Sequence, residues 1–175
     1  MTRTDVPSGD PGAPTGASGL RGLRELAARH ALLPLRIFLG VTFVYAGLDK
    51  LTDSAFLSAT GSGSIGELMH GVRDTSAIPA MVDLALKAPV GFAVALAIGE
   101  ILVGLGVLAG LLTRIASVGG ALISLSLWLT VSWAVTPYYY GNDLIYLMAW
   151  TPLILAGAPL WSLDELIGRG RRAAG

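Results

Sequence analysis

Apolar positions in this chain fall into four long blocks, roughly 31–51, 88–112, 115–135 and 144–161, separated by polar or glycine-rich stretches. Each block is near 20 residues, and at about 1.5 Å of rise per residue a helix of that length crosses a hydrocarbon layer of about 30 Å. The third block carries no charge from Ile115 to Val135. The first has the length of a secretory signal, but Arg36 inside it and the long polar tail before it predict that it is kept as a span.

The links between blocks are unequal. LLTR and TPYYYGN are tight, so neighbouring spans should run antiparallel. The segment 52–87 is long, and its middle reads as two short amphipathic helices around a break at Ile78–Pro79. Ile65, Leu68, Met69 and Val72 share one helical face, as do Met81, Leu84 and Ala85. The pattern predicts an all-α integral membrane four-helix bundle with short interfacial helices in the segment between spans one and two. Residues 1–20, rich in Pro, Gly, Ser and Thr, should be a disordered tail, with the bundle over 21–166 and a basic tail over 167–175.

Basic residues orient the spans. Arg21, Arg24 and Arg29 precede span one, Arg114 lies between spans two and three, and Arg169, Arg171 and Arg172 follow span four. On the other side Lys50, Arg73 and Lys87 are diluted by Asp53, Glu67, Asp74 and Asp83. Both termini are therefore expected in the cytoplasm, with 52–87 outside. Aromatics mark the expected interfaces: Trp133 and Tyr138–Tyr140 at the outer one, Trp161 at the inner one, with Trp128 and Trp150 deeper.

Small residues recur at helical spacing. They include Gly40 and Gly47 in span one, Gly91, Ala95, Gly99, Gly106 and Gly110 in span two, and Ser117, Gly120 and Ser124 in span three. Such faces let helix backbones approach closely in lipid, within one chain or between copies, so self-association stays open.

Composition narrows the chemistry. The 175 residues are 53% hydrophobic and 14% charged, far from a soluble domain. Formal net charge is zero, so nothing points to nucleic acid. With no cysteine there is no disulfide, thiolate nucleophile or cysteine-held cluster, and no metal site is expected. His30 and His70 both lie outside the apolar runs, which argues against a haem held by two histidines within the bilayer.

Charges inside the apolar blocks are the candidate site. Glu100 stands midway along span two, where a lipid-facing carboxylate costs on the order of 3 kcal/mol. Span one carries Arg36, Gly40, Phe43, Gly47 and Lys50 on one stripe. Glu100 is expected to face the interior and pair with Arg36 ahead of Lys50, and Lys50 is expected to pair with Asp143 at the outer end. Two readings of this balanced set stay open: ion pairs that lock helices, or a polar cavity that binds a head group or relays protons.

The segments LRIFLGVTFVYAGLDKLTDSAFL, GEILVGLGVLAGLLTRIAS and YYYGNDLIYLMAWTPLILAGAPLWSLDEL carry a likeness. Arg36, Gly40, Gly47 and Lys50, then Glu100, Gly104, Gly110, Thr113 and Arg114, then Ser162, Leu163 and Asp164, occur in an order that resembles the DoxX/DoxD family of small bacterial four-helix membrane proteins. The resemblance, over about 35–166, implies a place in the bacterial cytoplasmic membrane and respiratory or redox work there. DoxD-like members serve as membrane subunits of a thiosulfate:quinone oxidoreductase, and other DoxX-like members associate with superoxide dismutase and a sulfurtransferase in oxidative-stress defence. It supplies no catalytic residues, and whether the chain is itself an enzyme stays open. The chain shows no redox centre of its own, so electron transfer would use a bound quinone or a centre on a soluble or membrane partner. Glu100, Arg36, Tyr45 and Trp150 are the residues that could hold or protonate a quinone. The alternatives are a non-catalytic membrane assembly partner and, less favoured for want of an inverted repeat, a small transporter.

Overall fold

The computed structural model describes residues 30–157. Of these, residues 32–157 belong to one compact unit, and His30 and Ala31 to a separate one. The expected tails, the basic lead-in at 21–29, Trp161 and the three arginines at 169, 171 and 172 lie outside the described residues.

The described residues form six α-helices and no strand: α1 Leu33–Thr52, α2 Ile65–Val72, α3 Pro79–Leu86, α4 Pro89–Ala109, α5 Thr113–Thr130 and α6 Asn142–Ala156. Local chemistry explains their ends. Proline stands in the first turn of α1, α3 and α4, where its missing N–H costs nothing. Ser64 caps α2: its hydroxyl accepts from Glu67 N at 3.1 Å, and the Glu67 carboxylate accepts from Gly63 N at 2.7 Å. Gly110, at φ 66°, stops α4, with Leu111 N donating to Gly106 O at 2.9 Å and Gly110 N to Val107 O at 3.2 Å. That Schellman closure turns the chain within three residues and sets α5 antiparallel to α4. Inside α6, Pro152 leaves the carbonyl of Met148 without its helical donor, and the Thr151 hydroxyl donates to it instead at 2.7 Å.

Helices α5 and α6 are joined by a longer segment than the expected tight turn, because α5 ends at Thr130 and a 3-10 turn occupies Tyr138–Tyr140. The four long helices pack in sequence: α1 on α4, α4 on α5, α5 on α6, and α6 more lightly on α1. The end where α1 finishes and α4 begins carries α2 and α3 and is the capped end. The Gly110–Leu112 connection marks the opposite, turn end.

At the capped end Ile65, Met69, Val82, Ala85 and Ala93 form a small core. Ile65 and Met69 lie inward as their pattern predicts, whereas Leu68 is exposed. In α3 the expected face is corrected: Val82 and Ala85 point inward, and Met81 and Leu84 outward. The sequence PAMVDLAL is apolar on nearly every side, so periodicity could not set its rotation. Arg73, just past α2, reaches α3 with its Nε 2.5 Å from Asp83 Oδ1 and its Nη2 3.2 Å from Oδ2. This bidentate contact holds the Asp83 carboxyl below the usual carboxylate range.

Polarity is inverted relative to a protein built for water. The outward positions of α1, α4, α5 and α6 include Phe38, Val41, Leu48, Leu102, Leu105, Ile115, Leu122, Met148 and Leu155, all exposed. Among the buried positions are Arg36, Glu100, Thr113, Ser117 and Ser124. An apolar coat of that extent aggregates in water and is matched by lipid. Helices α4 and α5 are long and apolar enough to cross a membrane.

Candidate functional site

Two close approaches set the register of α1 on α4. A Cβ on Gly104 would lie 2.7 Å from Gly40 O and 2.8 Å from Val44 N, and one on Gly47 would lie 2.5 Å from Ala97 O. The helices therefore meet backbone to backbone through Gly40, Gly47, Gly104 and Ala97, the contact that small residues make possible in lipid. The other small-residue face of α4 meets α5 instead: Gly99 stands against Ile123 and Gly106 against Ala116.

In this register Glu100 is level with about Ala46, and it is 3% exposed. Lys50 starts about four residues nearer the capped end, roughly 6 Å along the axis. Side chains on a helix lean toward its N-terminus. On the antiparallel pair, Lys50 thus leans toward the turn end and Glu100 toward the capped end, so the two converge. Lys50 Nζ lies 3.0 Å from Glu100 Oε1 and 2.9 Å from Oε2, and also donates to Ala46 O at 3.3 Å, one turn back along its own helix.

The expected order of partners, Arg36 before Lys50, is corrected. Arg36 is buried about ten residues from the Glu100 level, roughly 15 Å toward the turn end. The same lean that joins Lys50 to Glu100 carries Arg36 and Glu100 apart. The expected Lys50–Asp143 pair also gives way: among the described residues, Lys50 forms its ion pair with Glu100. Asp143, in the first turn of α6, accepts a hydrogen bond from the Ser132 hydroxyl. Asp143 nevertheless lies within electrostatic reach of both Lys50 and Glu100. One ammonium and two carboxyl groups thus gather at the capped end, and Ser132, not singled out from sequence, completes the cluster. A lone serine near the end of an apolar run carries no periodic signal that would have marked it.

The remaining candidates separate. Tyr45 is 69% exposed on the outer side of α1 and does not join the cluster. Trp150 is fully buried two turns along α6 from Asp143, edge-on to Phe43 at a centroid distance of 4.9 Å. Its indole lies directly against Gly120 of α5, where no side chain would fit. Leu39, Phe43, Val107, Trp150 and Leu153 fill the centre of the packing between the Glu100 level and the turn end.

Among the described residues no cluster of His, Cys, Asp and Glu could hold a metal ion. The chemistry available at the capped end is proton exchange and hydrogen bonding. Lys50 donates to the Glu100 carboxylate and to Ala46 O, so a ligand carbonyl at this cation would share it with Glu100.

Comparison with known proteins agrees with these motifs. No curated protein and no solved structure matches the chain. The family model described as DoxX matches residues 31–133, which takes in the Arg36–Lys50 stripe, Glu100, Gly104 and the turn at Gly110 and ends before α6. With the match spanning more than half of its length, the chain belongs to the DoxX family, a family of membrane-associated proteins.

Proposed function

We propose that this chain is a four-helix integral membrane bundle with both termini in the cytoplasm, acting as the quinone-interacting subunit of a membrane oxidoreductase system in thiosulfate oxidation or oxidative-stress defence. The observation that carries the reading is the Lys50–Glu100–Asp143 cluster enclosed by helices with apolar outer faces. A quinone is an apolar molecule whose head exchanges protons as it exchanges electrons. It needs an apolar approach and a few ionisable groups at one depth. Carboxyls of Glu100 and Asp143 beside a single ammonium meet that need. Such groups are costly within a bilayer and, where present, are commonly functional. Helix α1 carries Arg36, Asp49 and Lys50, and α6 has 15 residues, about 22 Å of rise. Their antiparallel packing beside α4 and α5 supports reading them as spans too.

Topology has a direct test. The chain has no cysteine, so Ser62→Cys provides a single label site. An impermeant maleimide should label it on whole cells, and protection until lysis would reverse the assigned orientation.

For the site, a short-chain benzoquinone titrated into the purified protein in nanodiscs should quench tryptophan fluorescence with saturation. Lys50→Gln should weaken that binding about tenfold, the worth of one charge-assisted hydrogen bond. Linear, unsaturable quenching of the wild-type protein would reject the quinone reading. The second reading, a non-catalytic membrane anchor, is favoured by the Lys50–Glu100 ion pair itself, since a locked pair needs no ligand.

A further inference from the structure

Among the described residues, Ser117 Oγ, Ser124 Oγ and Trp150 Nε1 are interior polar atoms with no hydrogen-bond partner. All three residues are at most 1% exposed. A serine in a helix always has a backbone carbonyl of its own preceding turn in reach. Other hydroxyls in the long helices use it: Ser126 donates to Ile123 O at 2.8 Å, Thr130 to Ser126 O at 2.6 Å, and Thr52 to Leu48 O at 2.9 Å. Ser117 and Ser124 do not, and so turn toward the interior.

These atoms fall in a row. Ser117, Gly120 and Ser124 share the buried stripe of α5. The Trp150 ring atom Cε2, which is bonded to Nε1, lies against Gly120. The indole N–H therefore sits at a level between the two serines, roughly 4.5 Å of axial rise from Ser117 and roughly 6 Å from Ser124. Two hydrogen bonds through one water span about that distance. At the capped end of the row, Gly99 packs on Ile123, which brings Glu100 within half a turn of the Ser124 level. At the other end the buried stripe continues to Thr113, and Arg36 is buried at nearly the same level on α1. Leu39, Phe43, Val107 and Leu153 pack with Trp150 in the apolar cluster beside this row.

We propose that Ser124, Trp150 and Ser117 hold a file of internal water that links the Lys50–Glu100 pair to the turn end of the bundle. The file gives Glu100 aqueous contact across the apolar core, whether or not a quinone binds. Each unpartnered atom gains a partner: the indole N–H donates to water, and the hydroxyls donate or accept.

Hydrogen exchange of the Trp150 indole tests this. In the full chain in nanodiscs, with the indole resonance assigned by Trp150→Phe, its N–H should exchange in deuterated buffer within about tenfold of the rate for exposed Trp133. The Leu153 backbone amide, one turn away in the dry core, should be retained far longer. The double variant Ser117→Ala and Ser124→Ala, with its melting temperature checked, should slow the indole to the Leu153 rate. The proposal fails if the wild-type indole exchanges together with Leu153, or if the double variant exchanges as fast as wild type.

Discussion

Valine in place of Gly104 should cost about 3 kcal/mol or more of stability, enough to deplete folded protein from the membrane. The first added carbon would lie 2.7 Å from Gly40 O and 2.8 Å from both Val44 N and Val44 Cγ2. Two of those three neighbours are backbone, so relief requires α1 and α4 to separate along the face that joins them. Gly99 is the control, since it lies on the same helix and looks equivalent in sequence. A carbon added there meets only Ile123 Cδ1 at 3.6 Å, an ordinary contact with the end of a flexible side chain. Gly99→Ala should therefore be near neutral or slightly stabilising, because alanine favours helix over glycine by up to about 1 kcal/mol. Unfolding by denaturing detergent, followed by circular dichroism, measures both variants, and equal losses would refute the Gly40–Gly104 crossing.

Removing either member of the Lys50–Glu100 pair should destabilise, and unequally. The Glu100 side chain is 5% exposed and that of Lys50 23%. Lys50→Met leaves a buried carboxylate without its cation, a loss on the order of 3–5 kcal/mol. Glu100→Leu leaves an ammonium on a long stem near the capped end, able to swing back toward water, so about 1–2 kcal/mol is expected. Glu100→Gln keeps an acceptor for Lys50 and should cost least. Both partners replaced together, by Met and Leu, should recover most of the loss, since an apolar pair of similar volume is often no worse than a buried ion pair. A double-mutant cycle in the same unfolding assay reads this out. Additive losses, or Glu100→Leu costing more than Lys50→Met, would overturn the pairing.

Much of the fold was legible in the residues alone. The apolar runs, the tight LLTR link and the break at Ile78–Pro79 are local signals, and local geometry obeys them. The stripe Arg36, Gly40, Phe43, Gly47 and Lys50 follows from helical period, and four of the five are buried while Lys50 is half-buried. The interior placement of Glu100 follows from the cost of a carboxylate in oil. Tertiary structure decided which way each helix is turned and what meets what. Glu100 apart, helix α4 is apolar on every side; Ala97 and Gly104 share the Glu100 face, but the pattern could not say that this face meets α1 while Gly99 and Gly106 meet α5. Lipid and protein interior are equally oily, and the hydrophobic signal that orients a helix in water has no contrast there. The partner of Glu100 had the same origin. Depth along the axis left Arg36 and Lys50 nearly equivalent, and the choice fell to the register set by two glycine contacts and to the lean of side chains toward helix N-termini, which brings Lys50 and Glu100 together and carries Arg36 away.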